Sequence, residues 1–489
     1  MQMRLLHSPA QSPRRPILAG HLYLRLLRLP VAALTPMPLI RLECPDDAPM
    51  DRLRESLERA RDEFVAGNSV DFDNDENLCP RLPSELSFFA LPEQQLLAYA
   101  KHRETSELGH IFRIANGLHD FIDAMVMIGS GGGCLGARAV AQACCDPFHN
   151  EQTRAARGSK PRSYFVDNEL DNDQLHSLIS RLKAGGYGDG PGEKRWTIIA
   201  ADQPTGSQTN EVLFQHLIET LRRTDQPPRE ELRQKLVTSI GQEGNLIAKR
   251  TKALGFDQAL RVPANLKDSF SVLTPIGMLS SAFLGLDCIQ LLVGAAAMNE
   301  NLKNATFAEN LVLRYVAANC SARPDEHSGS IRERDSMRGS DNTFHAVWSR
   351  CLLGVAQWNS VVRAESVGAA GRLIDLATEP GRAAFFEQFD SGTLQSDDAV
   401  CNHVVVDRIR TDGLPASPGK PLEPAEGSLS ITDLQKETVA ATERRLAAAG
   451  IRQNKIVLPV IDTHTLGQWL QMMMLSATIE SMLLSKTGV

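Results

Sequence analysis

Five glycines, Gly129, Gly131, Gly132, Gly133 and Gly136, crowd the stretch MIGSGGGCLGARAV at 127–140, directly after the apolar run DAMVMI. A strand that ends in glycines and turns into a helix presents bare backbone N–H groups, and the helix dipole adds partial positive charge at the same point. The chemistry on offer is anion binding, with Ser130, Gly131, Gly132 and Gly133 as contacts. These residues alone leave the anion open. Gly131-x-Gly133-x-x-Gly136 is formally a dinucleotide fingerprint. That fingerprint wants an acidic residue closing the next strand, and here the next strand ends at Asp167, about ten residues late. A phosphate or carboxylate held by backbone amides is the more general reading. A tight strand-to-helix turn without a ligand is the plain structural one.

The elements that would position this loop are visible on either side of it. DAMVMI is followed by the glycines and ARAVAQACC, SYFVDN by DNDQLHSLISRLKAG, and RWTIIAA by TNEVLFQHLIETLRR. Strand, loop and helix in repetition predict a parallel sheet covered on both faces. Upstream, DRLRESLERARDEFVAG reads as an amphipathic helix with i,i+4 charge pairs, and helical patterning resumes over 92–117. Downstream, residues 275–318 read as helical, while NHVVVDRI and NKIVLPVI read as strands. The linker GLPASPGKPLEPAEGS precedes the helical ITDLQKETVAATERRLAAAG, and HTLGQWLQMMMLSATIESMLL closes the chain as an apolar helix. Its methionines are expected to fill core gaps. The expected class is therefore α/β. Its divisions are a basic leader outside the fold at 1–42, a helical segment at 43–115, one α/β domain at 116–272 and a second at 273–489.

Composition excludes several classes of function. The net charge of −7 argues against an extended nucleic-acid surface, though not against a local anion pocket. No apolar run is long enough to span a bilayer. The nine cysteines include no C-x-x-C pair, so neither a zinc cage nor a disulfide framework is indicated. The leader carries six arginines and no acidic residue, which fits a transit sequence, a membrane-surface arm or a start codon set too far upstream.

Taken in order, MIGSGGGCLGARAV, SYFVDNELDNDQL, TIIAADQPTGSQTNEV, FSVLTPIGMLSSAFLGLDCIQLLVGAAAMNENL, AESVG and LPVIDTHTLGQWLQMM resemble glucose-6-phosphate isomerases over roughly 91–484. The resemblance implies two sugar-isomerase α/β domains, each a parallel sheet flanked by helices, in a cytoplasmic homodimer without nucleic-acid or membrane partners. It implies a glycolytic and gluconeogenic activity: interconversion of glucose 6-phosphate and fructose 6-phosphate through a cis-enediol(ate), with no metal or nucleotide cofactor. The proton-abstracting glutamate falls on Glu365, with Ser366 and Gly368 matching the motif around it. The substrate phosphate falls to Ser130, Gly131, Gly132 and Gly133 in one loop and to Thr205, Ser207 and Thr209 in the other. Lys267, Ser269 and Gly368 are expected to line the rest of the pocket.

The chain departs from the family pattern at several of these points. Ser269 stands where the enediolate-stabilising arginine is expected, with Lys267 and Asp268 just before it. Arg382 and Ala383 stand where a ring-opening histidine is expected, and the family's C-terminal segment with its lysine has no counterpart before Val489. His345, His403 and His464 are expected to be structural. Gly133 replaces the serine of the first phosphate loop, and Asp202 brings a negative charge into the second. The sequence thus supports two expectations side by side: an isomerase with a depleted supporting set, or a degenerate relative that binds a sugar phosphate or partners an active subunit. An isomerase of another phosphosugar, or of an unphosphorylated ketose, stands third.

Overall fold

Arg41–Glu43 (β1), Ala124–Ile128 (β2), Arg162–Val166 (β3), Trp196–Ala201 (β4), Val237–Gly241 (β5), Gln258–Arg261 (β6), Thr343–Val347 (β7), Arg372–Asp375 (β8), Val400–Arg408 (β9) and Arg452–Val460 (β10) build two five-stranded sheets. They are seen in a computed structural model that describes residues 39–44, 48–166, 171–185, 195–201, 207–223, 230–320, 343–368, 371–390, 399–415 and 430–486. The first sheet runs β3-β2-β4-β5-β6, parallel throughout. Its central strands β2, β4 and β5 are buried at every position, as strands covered on both faces must be. The second sheet runs β1-β10-β9-β7-β8, parallel except for β1, which pairs antiparallel to β10 with Leu42 opposite Ile456.

In both sheets the strand order reverses beside the first parallel strand, at β2 in one and β7 in the other. Ligands of doubly wound sheets bind outside the carboxyl ends of the strands at such a reversal. For the first sheet that reversal lies between β2 and β4, beside the glycine run that follows β2.

Sequence pattern and structure part company at identifiable places. The leader is expected to end at 42, yet Ile40 and Leu42 are buried and β1 is part of the second sheet. A backbone edge open on β10 accounts for this, because hydrogen bonding to a free edge asks little of the side chains. β5, β6, β7 and β8 carry no clear strand pattern. β7 (TFHAV) runs on into an apolar helical stretch, so periodicity alone does not separate the two. The helical stretch at 275–318 is three helices, Pro275–Phe283, Cys288–Asn304 and Leu311–Cys320. Likewise, 92–117 is two, Leu91–His102 and Glu107–His119.

The final helix, Thr463–Lys486, ties these parts together. Met472, Met473 and Met474 are buried in it, as core filling requires. Several of its buried polar groups bond across long sequence distances. Gln468 Oε1 accepts from Ile40 N–H at 3.0 Å, and Gln471 Nε2–H donates to Asn299 Oδ1 at 2.7 Å. Glu480 receives both Nη groups of Arg363 at 2.7 and 3.0 Å, with both side chains almost wholly buried. Arg363 belongs to the helix Leu353–Val367, which also carries Glu365.

Candidate active site

Gly131 is the residue that lets β2 turn into the helix Gly132–Cys144. Its φ of 88° lies in the left-handed region, and it is the residue just before the first helical turn. Gly132 and Gly133 are small for another reason, close approach. A Cβ on Gly132 would stand 2.5 Å from the Cα and Cβ of Ser269, and one on Gly133 would stand 2.2 Å from Ser271 Oγ. The loop therefore lies flat against the short 3-10 turn Asp268–Ser271. Ser271 Oγ–H donates to the Asp268 carbonyl at 2.5 Å and holds that turn closed. Gly132→Ala is expected to cost about 1–3 kcal/mol, the usual cost of overpacking. An unfolding midpoint in urea equal to that of the unaltered chain would show that the turn yields.

The second half of the molecule reaches the same place through one helix. Trp358, fully buried, donates its Nε1–H to the Ser269 carbonyl at 3.0 Å. A Cβ on Gly136 would touch the same indole, so the helix 353–367 is seated directly on the helix that follows the glycines. Its last turn carries Glu365. Glu365 Oε2 accepts from Ser269 Oγ–H at 2.5 Å and from Ser269 N–H at 3.4 Å. The other oxygen, Oε1, carries no hydrogen bond from the described residues. Gly368 ends the helix with φ 77°, and Lys267 Nζ donates to the Glu365 carbonyl at 3.2 Å. The same ammonium stands 5.8 Å from the centre of the Phe270 ring.

Ser130 of the first expected phosphate loop and Ser207, just after the second, are joined by a residue that no sequence pattern marks. Asn210 is fully buried, and its Nδ2–H donates to Ser130 Oγ at 3.0 Å. Its own N–H donates to Ser207 Oγ at 3.3 Å. Thr209 sits in the first turn of the helix Gln208–Arg223. Thr205 and Asp202 lie outside the described residues.

The structure thus gathers Ser130, Gly131, Gly132, Gly133, Ser207, Lys267, Ser269 and Glu365 within one connected set of contacts. Ser269, expected as pocket lining in place of a cation, instead grips the carboxylate. Glu365 itself is exposed, where the chemistry calls for a partly desolvated base. The arrangement offers a carboxylate with one oxygen held by Ser269, an ammonium bonded to the same residue's main-chain carbonyl and a row of amides at a helix N-terminus. Those are the parts of a proton-transfer site for a ligand with an anionic end.

The other candidates are elsewhere. Arg382 Nη1–H donates to the Leu376 carbonyl at the end of β8. His345, His403 and His464 are buried, as structural histidines are. His403 Nδ1 accepts from Trp348 Nε1–H at 3.2 Å, and His464 Nδ1 lies 3.0 Å from Gln468 Nε2. His345 Nε2 faces Asn359 Nδ2 at 3.3 Å. Burial, and then the Arg363 charge, push the His345 pKa down to about 3 from an ordinary 6.5. Because the folded value is the lower one, the unfolded chain takes up a proton first. Stability from this group is complete above pH 6.5 and drains away as pH falls toward 3. Urea titrations between about pH 7 and pH 4.5 should therefore show a steeper acid loss in the unaltered chain than in His345→Asn. Equal slopes would rule the histidine out as a source.

No protein-family model matches the chain. Curated glucose-6-phosphate isomerases do. That of Listeria monocytogenes serotype 4b is 26% identical over 227 residues, covering 44% of this chain and 45% of the relative. That of Parabacteroides distasonis is 24% identical over 381 residues, covering 74% and 76%. The chain thus spans less than half the length of the first relatives it matches. Among solved structures, a hypothetical protein from Thermus thermophilus aligns with TM-score 0.67 at 21% identity, covering 90% of this chain and 93% of that one. A glucose-6-phosphate isomerase from Chlamydia trachomatis aligns with TM-score 0.63 at 13% identity, covering 95% and 91%.

Proposed function

We infer that this chain, a divergent member of the glucose-6-phosphate isomerase family, interconverts glucose 6-phosphate and fructose 6-phosphate with Glu365 as the base. One observation carries the reading. Glu365 is held by Ser269 against the loop whose amides suit a phosphate. In that role Ser269 fixes Oε2, and Oε1 takes the proton from C2 of the open-chain sugar and returns it to C1. The negative oxygen of the enediolate needs a donor, and Lys267 is the cation already in contact with the Glu365 residue. The phosphate end would rest on Ser130, the glycine amides and Ser207, with Asn210 donating to both serine hydroxyls.

The test is a coupled assay for fructose 6-phosphate formation, run with exchange of the C2 hydrogen against deuterated solvent. Turnover with exchange supports the reading. No product and no exchange at high protein concentration would remove it.

A second reading, a sugar-phosphate binder without turnover, is favoured by one observation. The site's hydroxyl donor, Ser269, is already spent on the base, whereas losing a single transition-state donor costs about 100- to 1,000-fold in rate. Thermal stabilisation by glucose 6-phosphate in the absence of exchange would select it.

A further inference from the structure

We propose that Asp268 sets this site's affinity for phosphate, because its carboxylate is a built-in anion on the glycine loop that a phosphorylated ligand must displace. The proposal rests on the sugar-phosphate reading above and adds a specificity-determining residue to it. Gly133 N–H donates to Asp268 Oδ2 at 3.3 Å. Gly133 stands in the turn where the phosphate is expected, and the helix N-terminus there is electropositive. The chain has therefore placed its own negative group on the amide that a phosphate would use.

Geometry makes the competition direct. The turn Asp268–Ser271 packs onto Gly132 and Gly133 at contact distance, so the Asp268 carboxylate stays beside the glycine amides while the turn is seated. The turn is itself braced. Ser271 Oγ–H bonds the Asp268 carbonyl, Phe270 N–H bonds the Lys267 carbonyl at 3.0 Å, and Trp358 holds the Ser269 carbonyl. A phosphate approaching from the open side, past Ser130 and the exposed Gly131, meets the half-buried carboxylate of Asp268 at close range. Like charges at that separation repel, and partial burial strengthens the effect relative to water. Lys267, the cation next in sequence, gives its Nζ hydrogen bond to the Glu365 carbonyl. The same turn carries Ser269, which holds the Glu365 carboxylate. Phosphate binding and carboxylate positioning are thereby linked through one short turn.

The experiment measures binding of inorganic phosphate, glucose 6-phosphate and uncharged fructose to the full chain by calorimetry. The variants are Asp268→Asn, which keeps the shape and an acceptor for Gly133, and Asp268→Gly, which removes the side chain. Thermal melts without ligand establish that each variant folds, and either one suffices. The expected result is phosphate and glucose 6-phosphate bound about tenfold or more tightly by the variants, the scale of one removed like-charge contact, with fructose unchanged. Equal phosphate affinity in the unaltered chain and the variants overturns the proposal and leaves the sugar-phosphate reading standing. Weaker binding by the variants overturns it too, making Asp268 a cap that supports the loop. No phosphate or glucose 6-phosphate bound by any form removes both.

Discussion

Glu365→Gln is expected to lower isomerase turnover by about 100- to 10,000-fold, the range over which a positioned general base contributes. The substitution is well suited to the site. A glutamine oxygen can still accept from Ser269 Oγ–H, so the helix end and the turn Asp268–Ser271 need not move. Only the proton-accepting capacity of the group is lost. Binding of glucose 6-phosphate should stay within about threefold of the unaltered chain, a shift of well under ~1 kcal/mol. Loss of exchange at C2 should match loss of product, because both pass through the same proton abstraction. A variant that keeps more than a tenth of the exchange rate would show that another group removes the proton. Comparison with Ser269→Ala separates the base from its holder: that variant keeps the carboxylate but frees its rotamer.

The largest stability effect should come from the pair behind Glu365. Arg363 and Glu480 are buried, bidentate and joined across 117 residues of sequence. Removing one partner leaves the other charge stranded in a dry interior, at a cost of about 3–5 kcal/mol. Arg363→Met and Glu480→Leu should each lower the urea midpoint sharply. The double variant should recover most of the loss, since an apolar pair of similar volume is often neutral or better. A double-mutant cycle reads the coupling directly. Single variants that unfold within about 1 kcal/mol of the unaltered chain would contradict the burial assigned to the pair. Tyr315 OH, also buried and without a hydrogen-bond partner among the described residues, lies close enough for the Arg363 charge to act on it. The helix carrying Glu365 is thus anchored on one side by this pair and on the other by Trp358.

Particular elements show how far sequence reading reaches. β2, β4, β9 and β10 are legible because their apolar runs are bounded by loops and flanked by helices with clear periodicity. β6 is not, since QALR buries one residue in four and has no alternation to detect. β1 escapes because its place depends on β10, about 400 residues away. Among site residues, Glu365 is found only through its motif; as one helical glutamate among many it has no local signature. Asn210 and Trp358 have no signal at all, because each matters through a partner distant in sequence, Ser130 for one and Ser269 for the other.

By itself the sequence determined the glycine loop between a strand and a helix, the α/β class, and the order of motifs that carries the resemblance. Those are local or linear properties, set by backbone conformation and by apolar periodicity. Tertiary structure alone decided that Ser269 grips the Glu365 carboxylate, that Asp268 sits on the Gly133 amide and that Lys267 turns to the end of the helix. Side-chain hydrogen bonds between segments about 100 residues apart depend on how two helices pack, and packing is fixed by shape and volume across the whole core, which no short window of sequence contains.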